Sequence, residues 1–158
     1  SSDEASTAQA AIETLDRYAA LGEIFDMVAI LQPTTPYRRG DRWDEAFAKL
    51  GDTQADCVFS AAPVADHPWH CFTTRPDGSV AFFFDDPQRS ARSQDLPPAL
   101  RINGSLYLTR VAALRRENTL VTSRSRAVVM DDPVESIDID TVADWDEAVR
   151  LCEEKLAA

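Results

Sequence analysis

A short apolar run that breaks off at two prolines constrains this chain most. Met27-Val28-Ala29-Ile30-Leu31 is continuous and apolar, the pattern of a strand buried on both faces. Gln32-Pro33-Thr34-Thr35-Pro36 follows at once, and its prolines exclude both a longer central strand and a helix. Trp43, Ala46, Phe47 and Leu50 then recur at helical spacing, with Asp41 as cap and Gly51 as stop. Cys57-Val58-Phe59-Ser60-Ala61-Ala62 reads as a second buried strand. A helix between two buried strands predicts a βαβ unit and a parallel sheet, so the fold class is α/β. The proline loop then lies at the carboxyl end of a strand, where open α/β sheets place their ligands. Arg38 and Arg39 stand just beyond it.

The rest of the chain extends this rhythm and once interrupts it. Ala8, Ala11, Ile12, Leu15 and Ala19 predict a helix over about residues 6–21, stopped by Gly22. Residues 63–100 carry six of the nine prolines and no helical period. Within them, Cys71–Thr74 and Ser79–Phe84 flank Arg75-Pro76-Asp77-Gly78, and Asp-Gly between apolar runs predicts a hairpin. Phe82, Phe83 and Phe84 in succession put aromatic surface on both faces. We expect a projecting arm whose 71–84 hairpin is an interface, or one that folds back over its own core. His67, His70 and Cys71 supply three metal-binding side chains with no second paired spacing, so ordinary polar and core roles are the better reading. Arg89, Arg92, Gln94 and Arg101 form a basic and polar stretch suited to binding carboxylate or phosphate. Asn103-Gly104-Ser105-Leu106-Tyr107-Leu108 predicts a turn entering a strand. A short helix over 111–116 and a strand over Ala127–Met130 follow. The closing helix carries Val142, Trp145, Val149, Cys152 and Leu156 as an apolar stripe, which predicts Cys152 in the core.

Just before that helix lies Ser136-Ile137-Asp138-Ile139-Asp140-Thr141. In a strand, Asp138 and Asp140 would project from one face and Ile137 and Ile139 would enter the core. Two convergent carboxylates repel unless a cation sits between them. Oxygen ligands of this kind suit Mg²⁺, which takes one or two carboxylates plus substrate phosphates. Thr141 can cap the closing helix with Asp144 at the capping-box position. Taken alone, an Asp-x-Asp of this kind more often marks an acidic strand end facing water with no metal, so the rest of the chain must decide.

The bulk properties bound the function. The 158 residues make a single domain, 44% apolar and 27% charged, with a net charge of −11. That charge argues against a nucleic-acid surface. A nucleotide substrate remains compatible if a metal and a few arginines handle the phosphates. No stretch has the length of a transmembrane run, so no membrane partner is expected. Cys57, Cys71 and Cys152 are odd in number and unpaired in spacing, which suggests reduced thiols and a cytoplasmic setting. The chain opens on Ser1-Ser2-Asp3-Glu4 and passes straight into a helix, which reads as a domain without its first strand.

Four stretches in order carry a resemblance: Leu31–Pro36, Asp66-His67-Pro68, Gln94-Asp95-Leu96-Pro97 through Asn103–Tyr107, and Ser136–Thr141. Together they resemble the acylneuraminate cytidylyltransferases, or CMP-sialic acid synthetases, over essentially the whole chain. The resemblance implies a Rossmann-like nucleotidyltransferase fold with a protruding β arm, here residues 63–100, that exchanges with a partner to form a homodimer. It implies transfer of CMP from CTP to an acidic α-keto sugar, with release of pyrophosphate. It implies Mg²⁺ held by Asp138 and Asp140, and a sugar pocket lined by Gln32 and Tyr107; Arg92 and Arg101 could cradle the sugar carboxylate, and Gln94 and Asn103 are the further substrate-binding candidates. Ser93 stands where sialic-acid enzymes often carry arginine, and His70 where a basic residue is common. The family also begins with a strand and a Gly- and Lys/Arg-rich phosphate loop. This chain has five glycines and no such loop, so alone it is expected to be catalytically incomplete. A dimerisation module without catalysis, and a cytidylyltransferase for a different keto-acid sugar, are the alternative expectations.

Overall fold

The computed structural model describes residues 6–52, 54–84 and 90–157. Ser1–Glu4 and Arg89, discussed above, lie outside the described residues. The first element is helix α1, Thr7–Ala20, capped by the Ser6 hydroxyl, which accepts from the Gln9 N–H at 3.2 Å. It ends where predicted. Gly22 adopts φ +88°, and the Gly22 and Glu23 N–H groups close onto the Ala19 and Tyr18 carbonyls at 3.0 Å each.

Strand β1 (Met27–Ile30), helix α2 (Gly40–Asp52) and strand β2 (Cys57–Pro63) form the expected strand–helix–strand unit. Its two strands run in the same direction, as a βαβ unit requires, but they are not neighbours in the sheet. Strand β5 (Leu100–Arg110) runs between β1 and β2, antiparallel to both. Strand β6 (Ser125–Val129) pairs in parallel with the far side of β2, giving the order β1-β5-β2-β6. The sheet is therefore mixed. Its outer strand β1 is not buried on both faces: its residues alternate exposed and half-buried, and Met27 is exposed. A strand with one neighbour covers only part of its surface. Asp41 does not cap α2; it pairs with Arg39 at 2.7 Å inside the first turn, and the helix runs past Gly51.

Two apolar clusters hold these layers. Ala46 and Leu50 of α2 pack on Val58, Leu106, Leu108 and Val128. Ala8, Ala11 and Leu15 of α1 pack with Leu114 of helix α3 (Val111–Glu117) against Val28 and Ile30. Helix α4 (Val142–Ala157) closes the chain, but its stripe is not core: Trp145 is 59% exposed and Val142 and Val149 are exposed too. Cys152 is half-buried, not fully enclosed. Among the described residues, no helix is long and apolar enough to cross a membrane.

The arm takes the predicted hairpin form. Strands β3 (Phe72–Thr74) and β4 (Val80–Phe82) pair antiparallel, with Phe72 opposite Phe82 and their rings 5.6 Å apart. Gly78 takes the left-handed conformation, and the Asp77 carboxylate accepts from the Ser79 N–H and hydroxyl. At the base of the arm, the His67 ring meets the Pro97 carbonyl at 3.2 Å and the His70 ring the Ala91 carbonyl at 3.1 Å. Both histidines thus staple the arm's base. Among the described residues, no three metal-binding side chains gather.

Candidate active site

The carboxyl ends of β1, β2 and β6 reach the same edge of the sheet, beside the first half of β5. Here β5 departs from regular pairing. Phe59 faces Tyr107 and Ala61 faces Ile102, so Ser60 alone stands opposite residues 103–106. The Ser60 hydroxyl takes over the missing ladder bonds. It accepts from the Leu106 N–H at 2.8 Å and donates to the Leu106 carbonyl at 3.3 Å. The Asn-Gly-Ser motif is thus a bulge inside one continuous strand, not the turn before a strand that the sequence predicts.

The bulge meets the proline loop. Gly104 has φ +78°, and a Cβ there would collide with the Gln32 side-chain carbonyl. Only glycine lets the Gln32 amide lie against this backbone. The loop is held from below by Arg38, whose guanidinium donates to the carbonyls of Gln32 and Ser105 and to the Thr35 hydroxyl. Thr35 is buried, and its N–H and hydroxyl both donate to the Gln32 carbonyl, at 3.2 and 3.1 Å. Gln32 and Tyr107 line one cavity of about 280 Å³, together with the start of α1 and residues 118–121. Burial raises the Tyr107 phenol above its usual pKa, with smaller contributions from Cys57 and from the nearby Asp138 carboxylate. Tyr107 therefore stays a neutral hydrogen-bonding group.

Asp138 and Asp140 do not lie in a strand. Residues 137–140 are extended but pair with no ladder; the one sheet-like link is the Ile139 N–H donating to the Thr34 carbonyl at 2.8 Å. The predicted alternation survives, with both aspartates exposed and both isoleucines half-buried. Side-chain tethers replace the missing ladder. The Asn103 amide donates to the Glu135 carbonyl and the Ser136 hydroxyl, each at 3.3 Å, and Arg101 reaches the Ser136 carbonyl at 3.5 Å. The Asp144 carboxylate accepts from the N–H groups of Asp140 and Thr141, at 3.2 and 2.7 Å. It also accepts from the Thr141 hydroxyl, which completes the predicted capping box and lowers the Asp144 pKa.

The fold brings Gln32, Tyr107, Asn103, Arg101, Asp138 and Asp140 to one edge. Asn103 is buried with its amide engaged by protein groups, so its place is structural support beside the acids. Arg92 and Gln94 are exposed around the short turn Ser93–Asp95, and no described contact joins them to the others. Sequence reasoning missed Ser60, Arg42 and Glu135. Ser60 carried a signal, as the one hydroxyl inside an apolar strand.

Among the described residues, no cation lies within ion-pairing distance of Asp138 or Asp140, and no third acid, histidine or cysteine completes a cage. Two exposed carboxylates without a cage fit Mg²⁺, which keeps water and substrate oxygens as its other ligands. They fit a structural zinc site poorly.

A mixed α/β sheet with an acidic segment and a polar loop at its carboxyl edge is compatible with an α/β nucleotidyltransferase fold. No protein-family model matches the chain. Over 144 residues it is 25% identical to the CMP-N,N'-diacetyllegionaminic acid synthase of Legionella pneumophila, covering 90% of this chain and 60% of that protein. Over 116 residues it is 32% identical to the N-acylneuraminate cytidylyltransferase of Streptococcus agalactiae serotype V, covering 73% of this chain and 28% of that protein. These relatives support the acylneuraminate cytidylyltransferase family that the four motifs indicate.

Proposed function

We propose that this chain is the sugar- and metal-binding part of a cytidylyltransferase acting on a nine-carbon α-keto acid sugar of the sialic acid type. The observation that carries the proposal is the pair of unneutralised carboxylates, Asp138 and Asp140, at the edge that also presents Gln32 and Tyr107. In the proposed reaction the anomeric hydroxyl of the sugar gives up its proton to water as its oxygen bonds to the α-phosphorus of CTP, and the bond from that phosphorus to the departing pyrophosphate breaks. Asp138 and Asp140 would hold Mg²⁺, whose charge offsets that of the triphosphate. Gln32 would orient the sugar, since Arg38 holds its backbone carbonyl and Gly104 leaves room for its side chain. Tyr107 would donate to it from the wall of the cavity it shares with Gln32. Arg101, with Arg92 and Gln94 on the neighbouring segment, would face the sugar carboxylate. Most of the catalysis in such a transfer is positioning and electrostatics.

These 158 residues contain no Gly- and Lys/Arg-rich phosphate loop. Turnover is therefore proposed for the natural protein that carries this domain, and not for the chain alone. Incubating that protein with CTP, Mg²⁺ and a panel of nine-carbon α-keto acids should release pyrophosphate only when the right sugar is present. Failure with every sugar would overturn the enzymatic reading.

A second observation supports self-association. Phe72, Phe82, Phe83 and Phe84 are all exposed, Phe83 by 65%, on a two-stranded hairpin that rarely stands alone in water. We propose that residues 71–84 pack against a second copy. Light scattering at micromolar concentration should give a dimer, and Phe82→Ser with Phe84→Ser should shift it toward monomer or aggregate. A well-folded monomer of the unmodified chain would contradict this.

A further inference from the structure

The acids stand on a segment that no strand ladder supports, so something else must fix their place. Three residues before Asp138 lies Glu135, whose side chain is only 1% exposed. Arg42, from the first turns of α2, grips it in forked fashion: Nε donates to Oε1 at 3.0 Å and Nη2 to Oε2 at 2.8 Å. The same guanidinium reaches Asp131 at 3.1 Å and lies 3.8 Å from Glu45. We infer that Arg42 and Glu135 are positioning residues that set where the Asp138 and Asp140 carboxylates stand; this rests on the metal-binding role proposed above.

Ala46 and Leu50 lock α2 into the core, so Arg42 projects from a rigid support. A carboxylate this buried cannot do without its partner, and the guanidinium fork fixes its direction as well as its charge. The backbone of the same residue is caught from the opposite side by Asn103. Glu135 is thus a post held by α2 and β5 together. Beyond it Ser136 is tied by Asn103 and Arg101 and the Ile137 N–H turns back to the Val134 carbonyl, before Ile139 meets Thr34 and Asp140 meets Asp144. An apolar pair would fill the same space and often gives equal or greater stability, but it lacks the directional fork.

That contrast supplies the test. Amide hydrogen exchange is measured on the unmodified chain, on Glu135→Gln, and on the double variant Arg42→Met with Glu135→Leu. The readout is the exchange rate of the Ile139 amide relative to that of Leu106 in the core bulge. Positioning predicts that this ratio rises about tenfold in both variants, because the segment opens locally while the core does not. Mn²⁺ titration of the same proteins should show weaker binding in step. An unchanged ratio in the double variant would overturn the inference and leave the pair a packing element. Asp138→Asn serves as control: it should weaken Mn²⁺ binding without moving the ratio. If the unmodified chain binds no Mn²⁺, the metal reading fails, and the exchange ratio still decides whether Arg42 and Glu135 hold the segment.

Discussion

Asp56 and the Asp138/Asp140 pair show two ways of placing acid in one small domain. Asp56 is 5% exposed, and its carboxylate is surrounded. Arg124 binds both of its oxygens, at 2.8 and 3.0 Å, and Arg116 adds a third contact at 2.9 Å. Arg124, and then Arg116, hold its carboxyl down at about 2. It joins the starts of β2 and β6 to the end of α3, far along the strands from the candidate site. Asp138 and Asp140 are exposed, have no described cation partner, and stand where the strands end. A carboxylate whose charge is already cancelled contributes to folding and has nothing left to offer a ligand. A pair left uncancelled repels itself and becomes useful only when a cation arrives.

The contrast can be broken experimentally. The largest expected effect is on turnover: in the natural protein, Asp138→Asn and Asp140→Asn should each lower pyrophosphate release about 100-fold or more, since an amide is a poorer Mg²⁺ ligand. Their thermal midpoints should stay near the parent value, because both residues are exposed and unpaired. Near-normal turnover would leave the acids as surface decoration.

Asp56→Asn should do the reverse. It leaves Arg116 and Arg124 facing each other without their shared acid, so the thermal midpoint should drop clearly while metal binding is kept. A midpoint equal to the parent's would mean that the cluster adds nothing to folding.

The bulge lies between these extremes, since it supports the site through the fold. Ser60→Ala strips the Leu106 N–H of its partner and should cost about 1–3 kcal/mol by denaturant unfolding. Gly104→Ala forces a left-handed backbone onto a residue with a Cβ, at a cost of about 1–3 kcal/mol. It should also displace Gln32, so in the natural protein it should raise the sugar KM more than Ser60→Ala does.

The smallest effect concerns acid. The folded pKa of Asp56 is depressed, so its contribution is complete above the ordinary carboxylate value of about 3.9. It is lost as pH falls through about 2. Stability measured between these values should fall with pH in the unmodified chain and less steeply in Asp56→Asn. An identical slope in both proteins would assign the acid sensitivity to other groups.

What could be read from the sequence was local. Gly22 at the end of α1, Asp77-Gly78 in the hairpin, and Thr141 with Asp144 each act within a few residues, and each reads true. The strand assigned to Asp138 and Asp140 fails because alternation of apolar and acidic residues records which side faces water, not whether a neighbouring strand is present. The parallel sheet holds only in part, for a similar reason: β2 and β6 pair in parallel, but β5 is antiparallel to its neighbours. Met27–Ile30 and Cys57–Pro63 do run the same way, but nothing within either reveals that Leu100–Arg110 lies between them. The stripe on α4 shows that apolar spacing marks a surface in need of cover, and Trp145 remains uncovered here. The contact between Gly104 and Gln32 joins residues far apart in the chain, and only the fold exposes it.

The open acids, and not the closed one, should take a divalent cation. Mn²⁺ binding, followed by the loss of its free electron-resonance signal, should be compared across the unmodified chain, Asp138→Asn with Asp140→Asn, and Asp56→Asn. Binding is expected in the first and the last, with a loss of about tenfold or more in affinity in the second. Equal binding in all three proteins would contradict this.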